Sequence, residues 1–171
     1  MNPPRVLVAG VGNVFFGDDG FGVEVARRLL QRSWPEAVTI RDFGIRGMDF
    51  AYALLGGYDA AILVDTVRRG RAPGTLYVIE PEESPEVDAA SLALDTHAMD
   101  PARVLRFVRA MGGDPGHLHV VGCEPATFGE DDDEPTMGLS PEVEGAVFPA
   151  MQIIETLIAR VSSGPGGGSD A

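Results

Sequence analysis

The sequence predicts a three-layer α/β/α domain with a mostly parallel sheet. Short apolar runs rich in β-branched residues alternate with amphipathic segments, which is typical of strands that are connected through helices. The chain has 171 residues and 44% hydrophobic content, enough to form the core of one such domain. One pair of apolar runs is joined too closely for a helical crossover, so one antiparallel strand is also expected.

The N-terminal part of the chain alternates between the two patterns. Apolar runs that end in a glycine or an acid predict strands at residues 5–10, 37–44 and 60–65. Helical spacing predicts helices between them, at residues 21–34 and 47–57. The apolar positions of the first helix, expected to face the core, are Phe21, Val25, Ala26, Leu29 and Leu30.

The C-terminal part continues with two strands and two helices. Strands are predicted at residues 74–80 and 117–122. A helix is predicted over 100–113, capped by Asp100 and with an apolar stripe that includes Met111.

The last predicted helix covers residues 140–163. Ser140 is expected to cap its N-terminus. Pro149 lies in its interior, which predicts a kink or a break. We therefore expect one domain over residues 1–163, followed by a disordered glycine-rich tail at 164–171.

Charge and composition exclude several classes of partner. The formal net charge is −13, and a field of this sign repels phosphate backbones, so nucleic acid is not expected as a partner. No apolar run approaches the roughly 20 residues that span a bilayer, and no secretion signal is visible. The single cysteine rules out an internal disulfide. These features predict a cytoplasmic protein without a membrane partner, and we expect a monomer.

A nucleotide-binding loop is the first candidate site. Gly10 and Gly12 follow the first strand, and Asp42 ends the second strand, as in dinucleotide-binding folds. The third glycine of that motif, however, is replaced by Phe15, and the helix begins late. The pattern therefore argues against a nucleotide.

A thiol nucleophile is the second candidate. Cys123 follows the strand that carries His117 and His119 on one face. Nucleophilic catalysis needs a base and an orienting group, and the pattern marks neither. We therefore expect Cys123 to be a buried apolar residue.

Acids and one histidine at strand ends form the third candidate. Asp18 and Asp19 follow the first strand, Asp65 ends the third, and His97 precedes a helix. Sites in open α/β sheets form at the carboxyl ends of strands, and two carboxylates with an imidazole suit nickel or zinc. The simpler alternative is that one of the paired acids caps the first helix, and Asp18 is the better candidate for that cap.

Four blocks of sequence resemble a known family. They are "VLVAGVGNVFFGDDGFGVEVARRL", "GIRGMDFAYALLGGYDAAILVD", "THAMD", and "VVGCEP" followed by "GLSPEV". In this order they are similar to the nickel–iron hydrogenase maturation endopeptidases, and the resemblance covers roughly residues 5 to 160.

The resemblance implies a function and a site. It implies a three-layer α/β domain with a five-stranded sheet, and an endopeptidase that removes the C-terminal extension of a hydrogenase large-subunit precursor after nickel insertion. By motif, the metal-contacting residues are Asp19, Asp65 and His97. The nickel is expected to be held by the substrate. Water, activated by a carboxylate, by the metal or by both, is the expected nucleophile. A non-catalytic nickel sensor or chaperone is the alternative.

Two stretches depart from the family pattern or add to it. The family commonly has "DGGT" where this chain has "DFGI" at residues 42–45, so the role of Asp42 is in doubt. An acidic run, "GEDDDEPT", occupies residues 129–136. It is expected to be a solvated loop, with docking of a basic substrate tail as the alternative.

Overall fold

The computed structural model describes residues 2–81, 100–126 and 135–164. The strands within these ranges are β1 (Val6–Val11), β2 (Val38–Gly44), β3 (Ala60–Thr66), β4 (Leu76–Ile79) and β5 (His117–Cys123). The helices are α1 (Phe21–Leu29), α2 (Gly47–Leu54), α3 (Pro101–Ala110) and α4 (Pro141–Ser162). A 3₁₀ turn, Gly17–Gly20, precedes α1.

The described strands form one mixed sheet in the order β2-β1-β3-β5-β4. The pairs β1–β2, β1–β3 and β3–β5 are parallel, and β4 runs antiparallel to β5. The predicted fold class is therefore confirmed, including the antiparallel strand. The short connection between β3 and β4 leaves no room for the helix that a parallel crossover would need.

Helices cover both faces of the sheet because alternate strand residues point to opposite sides. On one face, Val8 and Val64 pack with Phe21 of α1 and Ile154 of α4. On the other face, the core is built by α2 and α3 against residues such as Leu63. The buried strands β1 and β3 thus read as continuous apolar runs, as parallel strands covered on both sides do.

Several sequence predictions about helix ends are wrong. Helix α1 ends at Leu29, where Trp34 Nε1 donates a hydrogen bond to the Leu29 carbonyl at 2.7 Å. Leu30 and Met111 were expected in apolar stripes, but each lies just beyond its helix and is exposed. Pro149 does not break α4, which is continuous from Pro141 to Ser162.

None of the helices in the described ranges is long and apolar enough to cross a membrane. The expected tail at residues 164–171 lies outside the described residues except for Gly164, and both the tail and the single-domain boundary stay predictions.

The chain order predicts a crevice between β1 and β3. From β1 the chain moves outward to β2, then returns to the other side of β1 to form β3. The connections that follow β1 and β3 therefore leave the sheet in opposite directions at its carboxyl edge. In open α/β sheets this is the place where ligands bind.

Candidate active site

Asp19 and Asp65 approach each other across Gly12. Gly12 directly follows β1 and has a φ of 138°, a conformation that favours glycine. A Cβ on Gly12 would lie 1.9 Å from the backbone oxygen of Asp19 and 3.9 Å from Asp65 Oδ1. The bare backbone of Gly12 therefore lets the turn that carries Asp19 lie against the carboxyl ends of β1 and β3.

Backbone amides orient both carboxylates. Asn13 N donates to Asp19 Oδ2 at 2.8 Å, and Thr66 N donates to Asp65 Oδ1 at 2.8 Å. Each donor amide lies at or just beyond the carboxyl end of β1 or β3. The two acids are therefore held in place by the ends of β1 and β3 themselves.

The electrostatics of the pair disfavour two negative charges. Burial raises the pKa of Asp65 to about 8; the hydrogen bonds from Thr66 oppose this shift, and the charge of Asp19 adds to it. Asp65 therefore holds its proton more tightly than an ordinary carboxyl does.

The raised pKa predicts a specific pH dependence of stability. A carboxyl that titrates near 3.8 when unfolded and near 8 when folded binds its proton more tightly in the folded state. Its contribution to the free energy of unfolding is therefore complete below the lower pKa and is lost as the pH rises through the higher one. Each pKa unit is about 1.4 kcal/mol, but Asp65 is only partly buried by surface area, so water screens part of this cost.

As the pH rises from about 5 to about 9, we expect the free energy of unfolding of Asp65→Asn to increase by about 2–3 kcal/mol relative to that of the original chain. Asparagine keeps the acceptor for Thr66 N and carries no charge at any pH. Urea unfolding of both proteins across this range measures the difference. Parallel pH profiles for the two proteins would contradict the prediction.

Asp18 has a structural role that the sequence did not reveal. Its buried carboxylate accepts hydrogen bonds from Ala126 N at 2.8 Å, Ser140 N at 2.7 Å and Ser140 Oγ at 2.9 Å. The prediction that it caps α1 is wrong, because Gly20 occupies the N-cap position and no side chain caps that helix. Asp18 instead ties the turn that carries Asp19 to segments 108 and 122 residues away.

Ser140 also differs from its prediction. It occupies the N-cap position of α4, but its hydroxyl makes no capping hydrogen bond to the helix. The hydroxyl instead donates a hydrogen bond to the Asp18 carboxylate, which is a strong acceptor because it is charged. The first turn of α4 is thereby fastened to the turn that carries Asp19.

Glu124 is a second buried acid that the sequence did not single out. Its carboxylate accepts from Arg69 N at 2.8 Å, Gly70 N at 3.0 Å and Tyr77 Oη at 2.7 Å. It therefore fixes the arginine-rich loop that follows Asp65 and β3. The available signal was an acid directly after an apolar strand, in "GCEP".

The third predicted ligand, His97, lies outside the described residues. In the part of the chain that the structure describes, no three His, Cys, Asp or Glu side chains are grouped so that they could hold a metal ion. The geometry thus brings two of the three predicted site residues together, and the position of His97 stays a prediction.

Comparisons with known proteins identify the family. A family model described as "Hydrogenase maturation protease" matches residues 23–157, which is well over half of the chain. The chain belongs to the hydrogenase maturation protease family.

Individual members of this family show the same relationship. The Hydrogenase 2 maturation protease of Escherichia coli K12 is 35% identical over 165 residues, covering 94% of this chain and 93% of its own. The E. coli hydrogenase maturating endopeptidase HybD superposes with a TM-score of 0.71 at 31% identity, covering 91% and 92% of the two chains. A hydrogenase 2 maturation peptidase from a Thaumarchaeota archaeon has a TM-score of 0.67 at 31% identity, covering 91% and 98%. The chain is thus a peptidase.

Cys123 does not provide the nucleophile in this family member. It is buried, as expected, and burial raises the pKa of its thiol to about 12, with the charges of Asp18 and Glu124 adding to the shift. His119 Nε2 lies 3.1 Å from Glu80 Oε1, near the opposite edge of the sheet. The thiol therefore stays protonated, and the ring pairs with Glu80.

The glycines of this hydrogenase maturation protease do not form a phosphate cradle. Gly10 lies inside β1, where a Cβ would be 2.2 Å from the carbonyl oxygen of Gly22 in α1. The amide that follows Gly12, Asn13 N, is already bonded to the Asp19 carboxylate, so it is not offered to an anion. Gly10 serves the packing of helix on strand, and only Gly12 forms the turn.

Asp42 shapes the "DFGI" block that departs from the family pattern. Its Oδ1 accepts from Gly44 N at 2.8 Å, and Arg27 Nε lies 3.3 Å from its Oδ2. Gly44 has a φ of 55°, which favours glycine. Asp42 therefore orders the turn at the end of β2, and Ile45 is left exposed beside it.

Proposed function

We propose that this chain removes the C-terminal extension of a nickel–iron hydrogenase large-subunit precursor after nickel has been inserted, and that it does so in the cytoplasm. Membership of the hydrogenase maturation protease family supports the reaction class. The E. coli relative that is 35% identical is a Hydrogenase 2 maturation protease, which supports a hydrogenase precursor as substrate.

We propose that Asp19, Asp65 and His97 recognise the nickel that the precursor carries. Two observations support this: Asn13 N, next to Gly12, holds the Asp19 carboxylate, and Asp65 Oδ1 lies 3.9 Å from the position of a Cβ on Gly12. The charge of Asp19 disfavours the ionised form of Asp65, and a cation beside the two carboxylates would offset that repulsion. Oxygen and imidazole donors suit nickel, which here is part of the substrate.

Water is the proposed nucleophile, because the only thiol of the chain is buried and protonated. The oxygen of water adds to the carbonyl carbon of the scissile peptide while a carboxylate takes up its proton. The carbon–nitrogen bond then breaks, and the proton passes to the departing amine. Asp65, whose pKa lies near neutrality, is suited to both proton transfers.

The test uses the purified chain and a precursor in nickel-loaded and nickel-free form. We expect mass spectrometry to show that the nickel-loaded precursor is shortened by one C-terminal fragment and that the nickel-free precursor stays intact. Stable binding without a change of mass would instead support a non-catalytic nickel sensor. An intact, unbound precursor would contradict both functions.

A further inference from the structure

Three large apolar side chains are exposed next to the turn that carries Asp19. Phe15 is 54% exposed, Phe16 is 41% exposed and Met137 is 66% exposed. Their backbones are joined, because Thr136 N donates to the Phe15 carbonyl at 2.8 Å and Gly17 N donates to the Thr136 carbonyl at 2.8 Å. We call Phe15, Phe16 and Met137 the apolar rim.

The backbone beneath the apolar rim is ordered. Asn13 Oδ1 accepts a hydrogen bond from Phe15 N at 3.0 Å, and the Asn13 carbonyl accepts one from Phe16 N at 3.1 Å. Asp19 N donates to the Phe16 carbonyl at 3.2 Å. The hydrogen bonds that present the two rings therefore belong to the same turn that positions Asp19.

Exposed apolar side chains concentrate at this edge of the sheet. Among the described residues, ten large apolar side chains are exposed. Five of them follow the carboxyl ends of β1 and β2, up to the first turn of α2, or lie next to Thr136, which is bridged to Phe16. The two beyond the apolar rim are Ile45 and Met48. Such clustering marks a binding surface, whereas single exposed apolar residues are ordinary.

We propose that the apolar rim binds an apolar stretch of the precursor chain next to the scissile bond. This inference rests on the proposed function. An endopeptidase cuts inside a chain, so its substrate must extend past the reacting carboxylates, and the rim begins four residues before Asp19 on the same hydrogen-bonded turn. The rim carries no charge although the chain has a net charge of −13, so its ligand is selected by apolar contact.

The experiment compares Phe15→Ser with Phe148→Ser. Phe148 is a matched control, since it is 56% exposed but lies on α4. With nickel-loaded precursor, we expect Phe15→Ser to raise KM about tenfold with kcat changed less than about twofold, because the lost contact serves binding. Phe148→Ser is expected to keep both constants. A Phe15→Ser protein with the KM of the original chain would overturn the proposal.

A binding measurement separates failure of this inference from failure of the proposed function. The dissociation constant of the nickel-loaded precursor is measured with Asp65→Asn and with Asp65→Asn combined with Phe15→Ser. If the original chain leaves the precursor uncut, but the double variant binds it more weakly than Asp65→Asn does, the cutting activity is contradicted and the rim is supported. The proposed role of the rim is overturned if the two variants have equal dissociation constants, or if neither binds the precursor.

Other occupants of the apolar rim would give different results. If another segment of the same chain covered it, Phe15→Ser would lower the free energy of unfolding far more than Phe148→Ser. If a second copy covered it, Phe15→Ser would change the molecular mass measured by light scattering. Either result would overturn the proposal.

Discussion

Replacing Asp65 with asparagine is expected to lower kcat/KM for precursor cutting by about 10³-fold or more while the chain stays folded. Asparagine keeps the acceptor for Thr66 N but lacks the negative charge that would meet a cation and the group that would accept a proton. Asp19→Asn is expected to have an effect of similar size, because Asp19 lies on the other side of Gly12. Initial rates of precursor shortening, followed by mass spectrometry, measure both.

Combining the two substitutions tests whether the carboxylates act together. Groups that act as a unit show strongly non-additive losses, so the double variant is expected to be no slower than the slower single variant.

His97→Ala is expected to abolish cutting in the same way if His97 completes the site.

Asp114→Asn is the matched control for these variants. Asp114 Oδ1 likewise accepts a hydrogen bond from a backbone amide, Gly116 N at 2.9 Å, but Asp114 lies before β5 at the amino edge of the sheet. We expect this variant to cut at the original rate. Normal cutting by Asp19→Asn or Asp65→Asn would remove that residue from the proposed site.

Gly22→Ala is expected to destabilise the fold by about 3 kcal/mol or more. A Cβ on Gly22 would lie 2.0 Å from the Val64 carbonyl oxygen and 2.4 Å from that of Val11. Both oxygens belong to the backbone of interior strands, β1 and β3. This backbone cannot move aside as a flexible side chain would. Helix α1 must therefore move away from the sheet, and that cost exceeds the roughly 1 kcal/mol by which alanine favours a helix over glycine.

Gly145→Ala provides the control for this prediction. Gly145 lies in α4, and no atom approaches within 4 Å of the position of its Cβ. The same substitution there is expected to raise the free energy of unfolding by about 0.5–1 kcal/mol. Urea unfolding followed by circular dichroism measures both variants, and a Gly22→Ala protein as stable as the original chain would contradict the packing argument.

The convergence of Asp19 and Asp65 was predictable because it follows from local signals. Each acid follows an apolar run, and the carboxyl ends of parallel strands meet at one edge of the sheet. The antiparallel β4 was predictable too, since the connection that precedes it is short. These inferences need only the order and the spacing of residues along the chain.

The roles of Asp18 and Glu124 were not predictable, because their partners are remote in sequence. No hydrophobic period or capping motif links Asp18 to Ala126 and Ser140, so the local rule favoured a helix cap. Leu30 was misplaced for a different, local reason: the helical spacing continues past Leu29, where the helix ends and Trp34 Nε1 donates to the Leu29 carbonyl. Tertiary contacts decided the roles of Asp18 and Glu124.

The contacts of Asp18 also bear on how the protein folds during synthesis. Asp18 leaves the ribosome early, whereas Ala126 and Ser140, which supply three of its hydrogen bonds, emerge late. A nascent or truncated chain that stops before Ser140 lacks the two hydrogen bonds from that residue to Asp18, on the turn that carries Asp19. We expect that turn to reach its final position only as the C-terminal helix docks.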